Sequence, residues 1–125
     1  MNRLVLESWL MLIRFEWTIC LGRFHALYRV VQRERVCSVT TAPLIAEEDL
    51  CRAMDYACVF YFKHVLCLQR SAATTLLLRR HGFDAELVIG AMLLPFRSHA
   101  WVVVDGQVIN DKPYVHSIYQ VLERC

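Results

Sequence analysis

Along roughly the first thirty positions the polar side chains recur at steps of three, four and seven: Arg3, Glu7, Arg14, Thr18, His25, Arg29 and Gln32. At about 100° per residue these fall within roughly a quarter of a helix circumference, while Trp9, Leu10, Leu12, Ile13, Trp17, Leu21 and Phe24 take most of the rest. The spacing predicts a helix with one narrow polar stripe, too apolar to stand alone in water. A membrane span is disfavoured, because Arg14, Glu16 and Arg23 interrupt any window of the roughly 18 apolar residues it needs. Gly22 is open between a bend and an ordinary helix glycine.

The period is lost over 34–41, and Pro43 suits the first turn of a second helix, where its missing N–H does no harm. Over 47–61, Leu50, Cys51, Met54, Ala57, Cys58 and Tyr61 keep helical spacing, and Glu47, Glu48 and Asp49 sit early, where the macrodipole favours them. Cys51 and Cys58 are then core thiols. Periodicity leaves 59–66 open between the end of that helix and a packed connector. A third helix is predicted from Cys67, with Leu68, Ala72, Leu76 and Ala73, Leu77 on adjoining stripes, closing at Arg79, Arg80, His81 and Gly82. Cations suit a helix C-terminus, and glycine adopts the left-handed conformation just past it.

Beyond Gly82 the period changes to two. Residues 85–93 and 100–104 are apolar on both faces, as covered strands are, and Asp105-Gly106 before Val108 signals a short hairpin. Residues 114–122 form a closing strand or a short helix. The expected fold class is α+β, in a single domain over 1–125: a helical, apolar region over 1–62 and an α+β core over 63–125.

Composition sharpens this picture. Of 125 residues 57% are apolar, above the usual value of about 45–50%, so the surplus calls for a partner or a membrane surface. A formal charge of +2 gives no basis for nucleic-acid binding, and 21% charged residues with four Gly and three Pro argue against disorder. The six cysteines are expected to be thiols, since Glu7 breaks any N-terminal export signal after three apolar residues. That makes the expected compartment the cytoplasm. No metal site is expected, because Cys58, His64 and Cys67 lack a fourth ligand. No phosphate-binding loop is present, and no cofactor is expected.

The order helix-initial Cys67, strand-borne His99, then a carboxylate matches the needs of thiol catalysis. A thiolate is the nucleophile; a helix N-terminus and an imidazole both help remove its proton, first-turn amides face a developing oxyanion, and a third group orients the imidazole. Asp111 is the choice for that third group. With a two-residue turn at Asp105-Gly106, however, Asn110 shares the face of His99, and Asp111 is restored to it only by a longer turn or a bulge. By spacing alone His64 and His116 compete for the base role, His25 and His81 read as helix-surface or cap residues, and Asp105 reads as a turn residue.

The blocks Cys67-Leu-Gln-Arg-Ser, His81-Gly82, Ala85-Glu-Leu-Val-Ile-Gly90, Pro95-Phe-Arg-Ser-His-Ala-Trp101 and Asp105-Gly-Gln-Val-Ile-Asn-Asp111 resemble the lasso peptide biosynthesis B2 family, continuously over about 67–111. These are transglutaminase-like leader peptidases. The resemblance implies a transglutaminase-like, papain-like core and a cysteine peptidase that removes the leader of a ribosomally made precursor after the leader's penultimate threonine. A separate cyclase then closes the macrolactam. Carried residue by residue, the resemblance makes Cys67 the nucleophile, His99 the base and then the acid, and Asp111 the orienting carboxylate. Arg70 and Trp101 are candidate substrate-binding residues, although Arg70 and Ser71 equally suit a role fixing the helix, and Trp101 a buried place in the sheet. Gln69 does not precede the cysteine in the papain-like manner and receives no oxyanion role, while residues 93–96 are expected to form a loop shaping the substrate channel.

Residues 1–66 are too helical and apolar for a winged-helix leader-recognition domain, so the resemblance implies a split system in which a separate B1 protein delivers the precursor. The wide apolar arc around Trp9 and Trp17 is then expected to dock B1, the cyclase or a membrane surface. Two other classes fit the residues: a transglutaminase-like acyltransferase or amidase with the same thiol machinery, and a non-catalytic docking subunit.

Overall fold

The computed structural model describes residues 2–22, 24–33, 45–63, 65–93 and 96–125. Four helices, α1 (Asn2–Cys20), α2 (Phe24–Arg33), α3 (Glu47–Val59) and α4 (Cys67–Arg80), precede the strands β1 (Ala85–Leu93), β2 (Phe96–Val104) and β3 (Gln107–Val108), a short α5 (Val115–Ile118) and β4 (Gln120–Arg124). The sheet is antiparallel in the order β3-β2-β1-β4. The α+β class expected from the sequence is the one observed.

The N-terminal pattern makes two helices instead of one. Gly22 has φ 69°, and its N–H bonds to Ile19 O at 2.9 Å, ending α1 in the left-handed conformation that glycine adopts without steric cost. On α1, Leu12 and Phe15 are fully buried and Trp9 is half-buried against the core, where it meets Tyr61 edge to face. Leu6, Leu10, Trp17 and Leu21 lie within about 60° of one another on the outer side, and all are exposed. The apolar surplus is therefore real surface, with Trp17 in it and Trp9 out of it. Among the described residues no helix is long and apolar enough to cross a membrane. Pro43 and His64 lie outside the described residues; 60–63 and 65–66 connect α3 to α4, with Tyr61 buried.

Helix α4 is the centre of the molecule. Gln69 and every residue from Ser71 to Arg79 are buried, because α1 and α3 cover one side and the sheet covers the other. Alternation along the strands divides the sheet's two faces. Ala85 and Leu87 of β1, with Ala100, Val102 and Val104 of β2, join the core under the helices; Val88 and Trp101 pack with Val115 on the opposite face.

Two hydrogen bonds set the level of α4 on β2: Arg79 Nε donates to Ala85 O at 3.0 Å, at the Val104 end, and Ser71 Oγ donates to Ala100 O at 3.0 Å. Eight helical residues rise about 12 Å and four strand residues about 13 Å, so α4 and β2 run parallel and in step. Cys67, one turn before Ser71, is thereby level with about Ser98, next to His99.

Candidate active site

Cys67 is the first residue of α4 and is exposed. Leu66 enters the helix in an extended conformation (φ −71°, ψ 149°) with no side-chain cap, and the first amide to turn back is Arg70 N, onto Leu66 O at 2.9 Å. The first-turn N–H groups of α4 thus lie beside the thiol at the positive end of the helix dipole. The other thiols differ. Burial pushes Cys51 and Cys125 up to about 11 and raises Cys58, which disfavours their thiolates near neutral pH. All five described cysteines are free.

His99 is half-buried on β2, and its Nε2 is bonded to Asp111 Oδ2. That contact assigns Nδ1 as the ring nitrogen left for a thiol or a substrate. Asp111 Oδ1 also accepts from Lys112 N at 2.7 Å. Partial burial raises the Asp111 pKa, but the His99 hydrogen bond, the Lys112 amide and both positive charges outweigh it and hold the carboxyl below its usual range. The Asp111 carboxyl is therefore ionised at neutral pH.

Asp111 reaches His99 by a route the register argument did not contain. The Asp105-Gly106 turn does have two residues, with φ 51° and 78°, and Val103 pairs with Val108 as a two-residue turn requires. The ladder then stops at Val108. Ile109 N still bonds to Val102 O at 3.1 Å, but Asn110 satisfies Val102 N with its side-chain Oδ1, at 2.8 Å, and the chain leaves the strand. Since β3 covers only Val103 and Val104, β2 is an open edge at His99, and the 109–111 turn fills that edge. Strand alternation does not apply past Val108, so neither a longer turn nor a bulge is needed.

By alternation His99 sits on the Trp101 side of the sheet, away from α4, and among the described residues no hydrogen bond joins it to Cys67. Its ring rests on aromatic neighbours, with centroids 6.1 Å from Trp101 and 5.3 Å from Tyr119. Trp101 is only 1% exposed, so it supports the imidazole from below instead of presenting a wall to substrate. Gly90, opposite His99 in the register, makes room for this stack. A Cβ there would meet Trp101 ring atoms at 2.7 and 2.9 Å and Tyr119 Cβ at 2.9 Å.

Arg70 forms an ion pair with Asp55 across α3 and α4. A cavity of about 260 Å³ opens there, between Cys51 and Asp55 on one wall, Arg70 and Thr74 on another, and the 109–111 turn that carries Asp111. Arg70 is thus in position to line a path to the site. Of the residues expected to form a loop over 93–96, Leu93 ends β1 and Phe96 begins β2, both highly exposed, and 94–95 lie outside the described residues. His64 and the side chains of His25 and His116 lie outside the described residues. His81 caps the C-terminus of α4 and meets Glu7 at 3.4 Å.

One polar cluster had no signal in the sequence. Gln69, fully buried two residues after Cys67, donates from Nε2 to Leu12 O at 2.8 Å and to Glu16 Oε2 at 3.0 Å. Glu16 is also paired with Lys63 and accepts from Cys20 Sγ at 3.4 Å. Burial raises the Glu16 pKa; the Lys63, Cys20 and Gln69 contacts outweigh it and leave the carboxyl below its ordinary value. The cluster ties the start of α4 to α1 and gives Gln69 a structural task.

Among known proteins, a family model described as the transglutaminase-like superfamily matches residues 9–124. The microcin J25-processing protein McjB of Escherichia coli is 46% identical over 56 residues, which is 45% of this chain and 27% of that protein. No solved structure gives a significant match.

Proposed function

The chain belongs to the transglutaminase-like superfamily, and on that premise we propose that it is a cysteine peptidase that removes the leader from a lasso peptide precursor. The observation that carries this reading is the ionised Asp111 on His99 Nε2, at the same end of the sheet as the exposed Cys67 at the start of α4. The likeness to a microcin-processing protein supports the choice of a precursor peptide as substrate.

In this mechanism Cys67 and His99 close on one another as substrate seats, and His99 Nδ1 takes the thiol proton. The pair closes on binding, as hydrogen bonds of unliganded enzymes often do. The thiolate adds to the carbonyl of the scissile bond, which family resemblance places after a threonine in the leader's penultimate position. First-turn amides of α4 face the oxyanion. Collapse breaks the C–N bond, the amine of the core peptide leaves with the proton from His99, and the leader remains as a thioester on Cys67. Water, deprotonated by His99, then adds to the thioester; the leader departs as a carboxylic acid and Cys67 recovers its proton. Asp111 keeps the ring in one orientation and stabilises the imidazolium without taking its proton.

The working partners are a separate leader-binding B1 protein and the cyclase, in the cytoplasm, with the exposed Leu6, Leu10, Trp17 and Leu21 stripe as the docking face for B1, the cyclase or a membrane surface. The test is incubation with the precursor, with and without B1, comparing wild type and Cys67→Ala by mass. Separate leader and core masses from the wild type alone are expected; intact precursor in every reaction overturns the reading.

A further inference from the structure

The three candidate catalytic side chains stand on three different pieces of the fold: a helix start, a strand and an irregular turn. Little of the usual scaffolding joins those pieces. No side chain caps α4, the β2 edge is open at His99, and β3 ends three residues before Asp111. Something else must set their relative positions to the fraction of an ångström that catalysis requires.

Two side chains do so. Ser71 lies one turn after Cys67, on the same side of α4, and is 1% exposed. Its Oγ donates to Ala100 O, the carbonyl of the residue after His99, at 3.0 Å. The same Oγ accepts from Asn110 Nδ2 at 3.1 Å, and Asn110 Oδ1 accepts from Val102 N at 2.8 Å. Asn110 is the residue before Asp111. A single hydroxyl therefore joins the helix of Cys67, the strand of His99 and the turn of Asp111, each at one residue or one helical turn from the group concerned. Every polar atom in the chain Val102 N, Asn110, Ser71 and Ala100 O is used. Such a network, buried at Ser71 and half-buried at Asn110, specifies geometry when every member is satisfied.

We propose that Ser71 and Asn110 form a brace that positions Cys67, His99 and Asp111 relative to one another, acting through the backbone they hold and not through substrate. Both are positioning residues for the reaction proposed above, and the inference rests on that reading. The hydroxyl of Ser71 has no path to a nucleophilic role of its own, since its proton is committed to Ala100 O and its position is buried.

The experiment compares Ser71→Ala, Asn110→Ala, the double variant, Ser71→Cys and Asn110→Asp in three measurements: precursor cleavage, thermal midpoint, and the pH dependence of Cys67 alkylation by iodoacetamide. Asn110→Asp keeps the acceptor for Val102 N and loses the donor to Ser71. A brace predicts a drop in kcat of roughly 10- to 100-fold in each alanine variant with KM within about threefold, since a misplacement of about 1 Å costs up to 10²-fold. The double variant should be no worse than the poorer single one, because both remove the same link. Ser71→Cys should recover part of kcat, and Asn110→Asp should resemble Asn110→Ala. Unchanged kcat well below a lowered thermal midpoint, or losses that multiply in the double variant, would overturn it. If the wild type cleaves no precursor, the peptidase reading fails and alkylation still decides the brace: slower Cys67 alkylation near neutral pH in both alanine variants supports it, and wild-type rates refute it.

Discussion

His99 Nε2 is bonded to Asp111 Oδ2, although Asp111 is the residue that the β2–β3 register would turn away from it. The contact exists because the ladder stops at Val108 and Asn110 replaces a strand residue with its side chain. Asp111→Asn keeps the size of the group and removes the charge. A fall in kcat of roughly 10²- to 10⁴-fold is expected, the range for an orienting carboxylate in a catalytic triad, with KM little changed in precursor cleavage.

The same carboxylate has a pH signature. Its folded pKa lies below the ordinary 3.8, so its contribution to stability is complete above that value and is lost as pH falls through the depressed one. The thermal midpoints of wild type and Asp111→Asn should differ at pH 7 and converge as pH falls below the ordinary 3.8 and through the lowered pKa. A constant difference across that range would show that the pair adds no charge-dependent stability.

Glu16 follows the same sign with a different consequence. Its folded pKa is below the ordinary 4.5, so the Lys63, Cys20 and Gln69 contacts stabilise the fold above about pH 4.5 and fade as pH falls through the lowered value. Glu16→Gln should cost about 1.5–3 kcal/mol at pH 7 in denaturant unfolding, the range for hydrogen bonds to a charged group, and progressively less as pH falls below 4.5 and through the lowered pKa.

Gly90→Ala tests the aromatic support of His99. The added Cβ would lie 2.7 Å from a Trp101 ring atom and 2.9 Å from Tyr119 Cβ, and Trp101 is buried at 1% exposure. Overpacking of this kind costs about 1–3 kcal/mol. Thermal unfolding should show that loss, and cleavage should fall further than stability alone accounts for because the ring under His99 is displaced.

Arg70→Ala separates a substrate role from a structural one. Its ion pair with Asp55 is exposed at 38% and 56% on the two side chains, so removal should change stability by less than about 1 kcal/mol. A rise in KM for the precursor with kcat retained is the outcome expected of a residue that lines the path to Asp111.

Local chemistry made much of this molecule legible in the sequence. The start of α4 at Cys67 and its close at Arg79, Arg80, His81 and Gly82 follow from helix-end rules, and Gly82 does take a positive φ of 91°. The strand Ala85–Leu93 and the Asp105-Gly106 turn were equally readable from period and turn residues. Long-range features were not. A continuous helical stripe conceals the break at Gly22, because α2 resumes the same spacing after it. Nothing in a period of two announces that β2 begins at Phe96 or that β3 lasts only two residues. Ser71 and Gln69 take their roles from partners 29 to 57 positions away in sequence, and Asn110 reaches Ser71 across 39, which no local pattern encodes.

The acyl-enzyme offers the most direct measurement of all. Wild-type protein quenched in acid during turnover of the precursor should carry an adduct equal to the leader peptide less one water, located on Cys67 by fragmentation. Cys67→Ala should show neither adduct nor cleavage. Cleavage of the precursor by Cys67→Ala at the wild-type rate, or an adduct located on another of the cysteines, would contradict the assignment of Cys67 as the nucleophile.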